Sequence, residues 1–205
     1  STVYEHNFKW IKGQVMAKRA AEIAAAGMHN ILLVGPPGTG KTAIAKAMKT
    51  ILPEMSQNEK IEISKIQSIA GKLEGNLVGE RPFRNPHHTT TVTAMTGGGI
   101  NPKPGEMTMA HGGMLYMDEF TEFSRGVMEA MRQPLEDKKI VISRKGGTYS
   151  FPADFILLAS MNPCKCGYYP DRNKCSCTER DVNKYLEKIS GPILDSCLLY
   201  TSPSP

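Results

Sequence analysis

Residues 35–42 read GPPGTGKT, so four residues lie between Gly35 and Gly40 and Lys41 and Thr42 follow at once. That is the spacing of a phosphate-binding loop. Across Gly35, Pro36, Pro37, Gly38, Thr39 and Gly40, the small and turn-forming residues let backbone N–H groups close around phosphates. Lys41 then reaches the β and γ oxygens, Thr42 offers a hydroxyl to Mg²⁺, and Ala43 carries the segment into a helix. An ordinary glycine-rich turn would need neither the lysine nor these flanks.

Three further groups fit beside the loop. In MLYMDEF, apolar residues deliver Asp118 and Glu119 to the end of a strand about 75 residues downstream. An isolated acidic pair is a solvated strand end, but behind a phosphate loop Asp118 reads as the magnesium carboxylate and Glu119 as the residue that polarises the attacking water. Asn162 directly follows FILLAS, where its amide can orient the same water or touch the γ-phosphate; alone, Asn-Pro is only a turn. Cys164, Cys166, Cys175 and Cys177 form two Cys-x-Cys pairs eight residues apart. Four thiolates suit a tetrahedral Zn²⁺ and leave it no open position, so the expected metal is structural. The intervening GYYPDRNK has too little apolar mass to fold by burial, whereas structural zinc contributes on the order of 10 kcal/mol. The one-residue spacing is tighter than usual for zinc, and free thiols on a mobile loop are the alternative.

The elements that must hold these groups follow from pattern. VMAKRAAEIAAA (15–26) has helical composition and stops at Gly27. NILLV is a strand, and AIAKAMKTIL a helix ending before Pro53. Ser56 and Glu59 form a capping box opening a helix to about Ala70. Residues 71–113 hold enough Gly and Pro to exclude long regular elements. MLYMDEF and FILLAS are further strands. Ser124 caps a helix that Pro134 should bend or shorten. KIVISRKGGTYSF (139–151) reads as a hairpin turning near Lys145-Gly146-Gly147.

Composition bounds the rest. With 205 residues and 40% hydrophobic content, the chain can bury the core of one ordinary domain, or of one with a small appendage. Its apolar runs are strand-sized and no charged-then-apolar leader opens it, so the expectation is a soluble, cytoplasmic protein without a membrane partner. A formal charge of +5 allows a polyanionic partner without requiring one. Five cysteines, four of them clustered, favour metal over disulfide in a reducing compartment. His87 and His88 have no acidic or thiol partners nearby in sequence and read as structural or interface residues. Arg144 and Lys145, near the hairpin tip, can grip DNA phosphates without reading bases, or else are a solvated turn.

The order GPPGTGKT, MLYMDEF, LLASMNP resembles the AAA+ ATPase core, with Asn162 at the position called sensor 1. More narrowly, ERPFRNPHH, GGGINPKPGEMTMAHGGMLYMDEF, RQPLED and MNPCKCGYY resemble magnesium-chelatase-like AAA+ proteins of the ComM/YifB type. The resemblance implies an α/β fold, a P-loop NTPase with a parallel sheet sandwiched by helices, plus the hairpin and the small cysteine-rich insert. It implies ATP and Mg²⁺ as cofactors and KGQ (12–14) on the adenine side of the site. It also implies a hexameric ring in the full-length parent, DNA branch migration linked to competence, and a pore-directed hairpin ahead of sensor 1.

Relatives are longer at both ends, so residues 1–195 are expected to be the AAA+ core of a longer parent, with 164–177 as a zinc knuckle inside it. After SGPILD the family carries an arginine, the expected trans-acting finger, where this chain has Ser196. SCLLYTSPSP (196–205) resembles no family segment and is expected to be disordered, with hydrolysis weak or absent. Two other function classes stay open: the ATPase subunit of a magnesium-chelatase enzyme, which by resemblance lacks the four cysteines and RPFRNPHH, and a nucleotide-dependent interaction module without motor activity.

Overall fold

The computed structural model describes residues 15–73 and 75–201. The KGQ segment lies outside the described residues. In chain order, the first half contains α1 (Val15–Gly27), β1 (Asn30–Val34), α2 (Lys41–Lys49), α3 (Gln57–Ile69), β2 (Phe83–Arg84), α4 (Val92–Thr96), β3 (Gly97–Gly98), β4 (Lys103–Pro104) and α5 (Glu106–Met109). The second half contains β5 (Met114–Met117), α6 (Arg125–Ala130), α7 (Arg132–Asp137), β6 (Lys139–Arg144), β7 (Gly147–Pro152), β8 (Ile156–Met161), α8 (Glu179–Leu186), α9 (Gly191–Asp195) and β9 (Cys197–Thr201). Five strands form one sheet in the order β2-β5-β8-β1-β9. This is the expected α/β architecture.

The chain divides into two compact units, one comprising Ser1–Pro53, Met117–Glu122 and Leu157–Pro205, the other Glu54–Tyr116 and Phe123–Ile156. In the first, β1 runs parallel to β8 on one side and to β9 on the other. Every residue of β8 is buried, which is why Ile156–Met161 reads as an apolar run interrupted only by Ser160 rather than an alternating one. Helices α1 and α2 pack together, burying Ala21, Ala24 and Ala25 of α1 and Ile44, Ala45, Ala47 and Met48 of α2. Each fully buried large aliphatic here stabilises the fold by about 1.5–3 kcal/mol.

The expectation of a disordered tail is corrected for residues 197–201. They form β9, registered from Asn30 opposite Cys197 to Val34 opposite Thr201. An uncharged Cys-Leu-Leu-Tyr-Thr run can supply the hydrogen bonds that β1 would otherwise leave open along its edge. Leu198 and Leu199 stay 43% and 64% exposed, so backbone pairing rather than side-chain burial holds the strand. Residues 202–205 lie outside the described residues.

In the second unit, both halves of the Ser56 capping box form: Glu59 N–H donates to Ser56 Oγ at 3.2 Å and Ser56 N–H to Glu59 Oε2 at 2.7 Å. Among the described residues of 71–113 there are no long elements, as expected; α4 and α5 have only 5 and 4 residues. The helix capped by Ser124 breaks at Met131 into α6 and α7. Pro134 has no N–H for the Ala130 carbonyl, and its ring crowds that oxygen. Strands β6 and β7 pair antiparallel down to Arg144 opposite Gly147, so the turn is Lys145-Gly146. Among the described residues no helix is long and apolar enough to cross a membrane.

Candidate nucleotide site and cysteine cluster

The residues singled out for phosphate, magnesium and water chemistry all fall in the first unit. Strand β1 delivers the loop, and the Gly35 N–H donates to the Met161 carbonyl at 3.1 Å, fastening the loop's start to the end of β8. Gly38 and Gly40 both sit at φ 78° with open space where a Cβ would go. A side chain would strain that left-handed backbone and fill the cradle. Gly40 caps α2 without any side-chain hydrogen bond, so the first-turn N–H groups of a nine-residue helix are presented to an anion.

Lys41 is folded over its own loop. Its Nζ donates to the Gly35 carbonyl at 2.7 Å, the Pro36 carbonyl at 2.9 Å and Asn162 Oδ1 at 3.4 Å. Burial pushes the ammonium below its ordinary pKa, and the Asp118 carboxylate pulls it back up. A cavity of about 580 Å³ is lined by the loop, Thr42, Ala43, Asp118, Glu119 and Asn162. Thr42 and Asp118 bring a hydroxyl and a carboxylate to the same space, hard oxygen donors suited to Mg²⁺. Lys46 lines this cavity too, although the sequence marks it only as part of a helix.

Asp118 Oδ1 accepts from Ser160 Oγ at 2.5 Å and from the Glu119 N–H at 2.9 Å. Ser160 was also passed over; the signal was a hydroxyl in an otherwise apolar buried strand. Glu119 is exposed and holds φ 51°, a left-handed conformation uncommon outside glycine, asparagine and aspartate. A second cavity, of about 790 Å³, is lined by Lys41, Asp118, Glu119 and Asn162 and, from α8, by Asp181 and Tyr185. The sequence reading missed α8, although Thr178-x-x-Asp181 announced it; both halves of that capping box form. Thr121 Oγ1 donates to Tyr185 Oη at 2.8 Å. Burial pushes the Tyr185 phenol up, opposed by the Thr121 bond and by a bond from the Asn162 backbone.

The four clustered cysteines converge: one sulfur from each lies within 4.8 Å of the others. Cys164 Sγ is 3.3 Å from Cys166 Sγ and 3.8 Å from Cys175 Sγ, and Cys166 to Cys175 is 3.5 Å. A tetrahedron of thiolates around zinc has S–S edges of about 3.8 Å, from Zn–S bonds of about 2.3 Å, so the cluster fits the metal. All five cysteines are free thiols. The Tyr168 backbone N–H and the neighbouring sulfurs hold the Cys166 thiol down at about 6, while burial pushes Cys175 up to about 12. Cys164 and Cys175 form a small core with Val182 of α8, and Tyr169, Cys166 and Cys177 pack against it.

In the second unit, Arg144 ends β6 and Lys145 occupies the turn, both exposed. The Arg144 guanidinium lies over Gly98, 3.3 Å from where a Cβ would stand. His87 and His88 stack on each other with ring centroids 4.2 Å apart, and His87 Nδ1 lies 2.8 Å from Thr89 Oγ1. Neither belongs to a metal-holding group among the described residues.

A family profile described as magnesium chelatase, subunit ChlI, matches residues 7–202. The chain is 43% identical over 196 residues to uncharacterized protein YifB of Escherichia coli (strain K12), covering 95% of this chain and 38% of that protein. It is 46% identical over 186 residues to competence protein ComM of Haemophilus influenzae, covering 90% and 36%. The chain thus spans less than two fifths of these relatives. Among solved structures, NtrX from Brucella abortus in complex with ADP superposes with a TM-score of 0.59 at 18% identity over 95% of this chain and 37% of that one, a likeness of fold alone. The chain belongs to the magnesium chelatase, subunit ChlI, family of AAA+ proteins, in the branch that includes YifB and ComM.

Proposed function

We propose that this chain is the ATP-binding and ATP-hydrolysing core of a longer cytoplasmic AAA+ protein that assembles into a ring, a hexamer in the parent, and remodels DNA. One observation carries the reading: Lys41, Asp118, Glu119 and Asn162 line a single cavity at the open N-terminus of α2. Gly35 to Ala43 hold the phosphates through backbone N–H groups. Lys41 gives up its carbonyl partners for the β and γ oxygens, recovering as charge–charge attraction what burial costs its ammonium. Thr42 and Asp118 would hold Mg²⁺, which supplies Lewis-acid neutralisation of charge on the phosphates. Glu119 orients and polarises the attacking water, and Asn162 holds that water or the γ-phosphate in line. Ser196 stands where the family arginine is expected, so turnover by this chain alone should be slow.

Cys164, Cys166, Cys175 and Cys177 hold one structural Zn²⁺. The exposed Arg144 and Lys145 contact DNA phosphates. The sequence similarity to a protein whose name records competence supports DNA as the partner, and the cysteine cluster supports this branch over a chelatase subunit. ATP hydrolysis by the full-length protein, with and without DNA and beside a porphyrin metalation assay, tests the reading. Stimulation by DNA without metalation is expected; metalation, or hydrolysis indifferent to every DNA structure supplied, would overturn it.

A further inference from the structure

We infer that the cysteine centre positions the phosphate loop and Asn162, so that metal occupancy and nucleotide affinity are linked. This rests on the zinc reading above and deepens it: the knuckle acts on the nucleotide site.

Two routes of contact join them, both inside the first unit. The first is the turn from Cys164 to Gly167, closed by the Gly167 N–H donating to the Cys164 carbonyl at 3.1 Å. At its end Gly167 holds φ 94°, and a Cβ there would lie 2.8 Å from Pro37 Cδ and 3.7 Å from Asn162 Cγ. Backbone of the knuckle therefore rests directly on the phosphate loop and beside the sensor amide, with no room for a methyl group. The second route runs through α8. Val182 sits in the small core made by Cys164 and Cys175, and one turn on, Tyr185 accepts from Thr121, two residues beyond Glu119, and lines the same cavity as Asn162.

The turn of the first route holds little apolar mass of its own, and the second route is anchored to the metal only where Val182 meets Cys164 and Cys175. The metal bonds would fix Cys164 and, through three residues, Gly167; without them the turn is held by one backbone hydrogen bond and a three-residue core. A displacement of a few tenths of an ångström at Gly167 bears on Pro37, and at Tyr185 on Thr121 beside Glu119. Reciprocity then requires nucleotide to tighten metal binding by the factor by which metal tightens nucleotide.

The test uses the whole chain purified under reductant, its zinc measured by elemental analysis, with Mg²⁺ in excess throughout. A fluorescent non-hydrolysable ATP analogue is titrated into the zinc-loaded protein, into protein stripped by a zinc-selective chelator, and after zinc is restored. Stripping should weaken binding about tenfold, inside the roughly 5- to 150-fold span of coupled sites, and restoring zinc should recover it. Zinc release to a chromophoric chelator should slow by a comparable factor when the analogue is bound. Gly167→Ala keeps all four thiols, so it should retain zinc while losing nucleotide affinity. Zinc present with affinity and release rate unchanged overturns the linkage and leaves the zinc reading standing. Protein without metal overturns both. Should stripping unfold the chain by far-ultraviolet circular dichroism, Gly167→Ala and the release rates decide: normal affinity with an unchanged rate overturns the inference.

Discussion

Ser160 Oγ donates to Asp118 Oδ1 at 2.5 Å, so a hydroxyl from the fully buried strand β8 fixes a carboxylate at the end of β5. With the Glu119 N–H on the same oxygen, the carboxylate cannot rotate freely. Groups that orient a metal's carboxylate typically matter 10- to 100-fold in metal affinity. Ser160→Ala should therefore raise the Mg²⁺ concentration for half-maximal ATP hydrolysis about tenfold. A magnesium titration at saturating ATP checks it.

In the proposed mechanism Lys41 serves binding and Glu119 serves chemistry. Lys41→Ala should remove most ATP affinity, since in the proposed reading its ammonium meets the phosphates. Glu119→Gln should bind ATP normally and slow turnover by about 10²-fold or more, because only the water is affected. Equilibrium binding and single-turnover hydrolysis of both variants distinguish the roles; equal affinity in wild type and Lys41→Ala would remove the lysine from the site.

Arg144 and Lys145 are tested together in the full-length parent. Replacing both by Ala should weaken binding to all DNA sequences alike and reduce the salt slope of log K by roughly one to two. An unchanged slope would mean that the basic turn is only solvated.

Glu59 ties acid stability to a cap. Its carboxylate is held below the ordinary range, first by the Ser56 N–H and then by Arg81, whose Nη1 lies 2.8 Å away with its side chain only 7% exposed. The folded pKa lies below the unfolded one, so the stabilisation is present at neutral pH and is lost as pH falls through the carboxylate range. Glu59→Ala should cost about 1–3 kcal/mol at pH 7 and much less near pH 3. Glu59→Gln should keep part of the cap and lose the pH dependence. Urea denaturation at both pH values measures each.

Much of this was legible because local chemistry and fold agree. GPPGTGKT needs a strand before it and a helix after it, and both carry their own signals in NILLV and in the alanine- and lysine-rich α2. Asp118, Glu119 and Asn162 each end an apolar run, which is how a strand announces the edge of a site. What escaped depends on pairing across the chain. Ser160 gains meaning only opposite Asp118, 42 residues away, and Tyr185 only opposite Thr121. The strand β9 escaped because an uncharged segment was judged by its foreign composition, whereas the open edge of β1 decides its conformation. Helix α8 escaped for a smaller reason, as Asp at the third position of its capping box is a weaker signal than the Glu of α3.

The backbone at Glu119 has a further consequence. A glutamate held at φ 51° costs roughly 1 kcal/mol that a glycine there would avoid, and asparagine or aspartate would avoid part of it. Substitution by one of those residues should gain fold stability and, in the role proposed for Glu119, lose water activation. Fold stability and the water chemistry proposed for Glu119 thus pull this one residue in opposite directions.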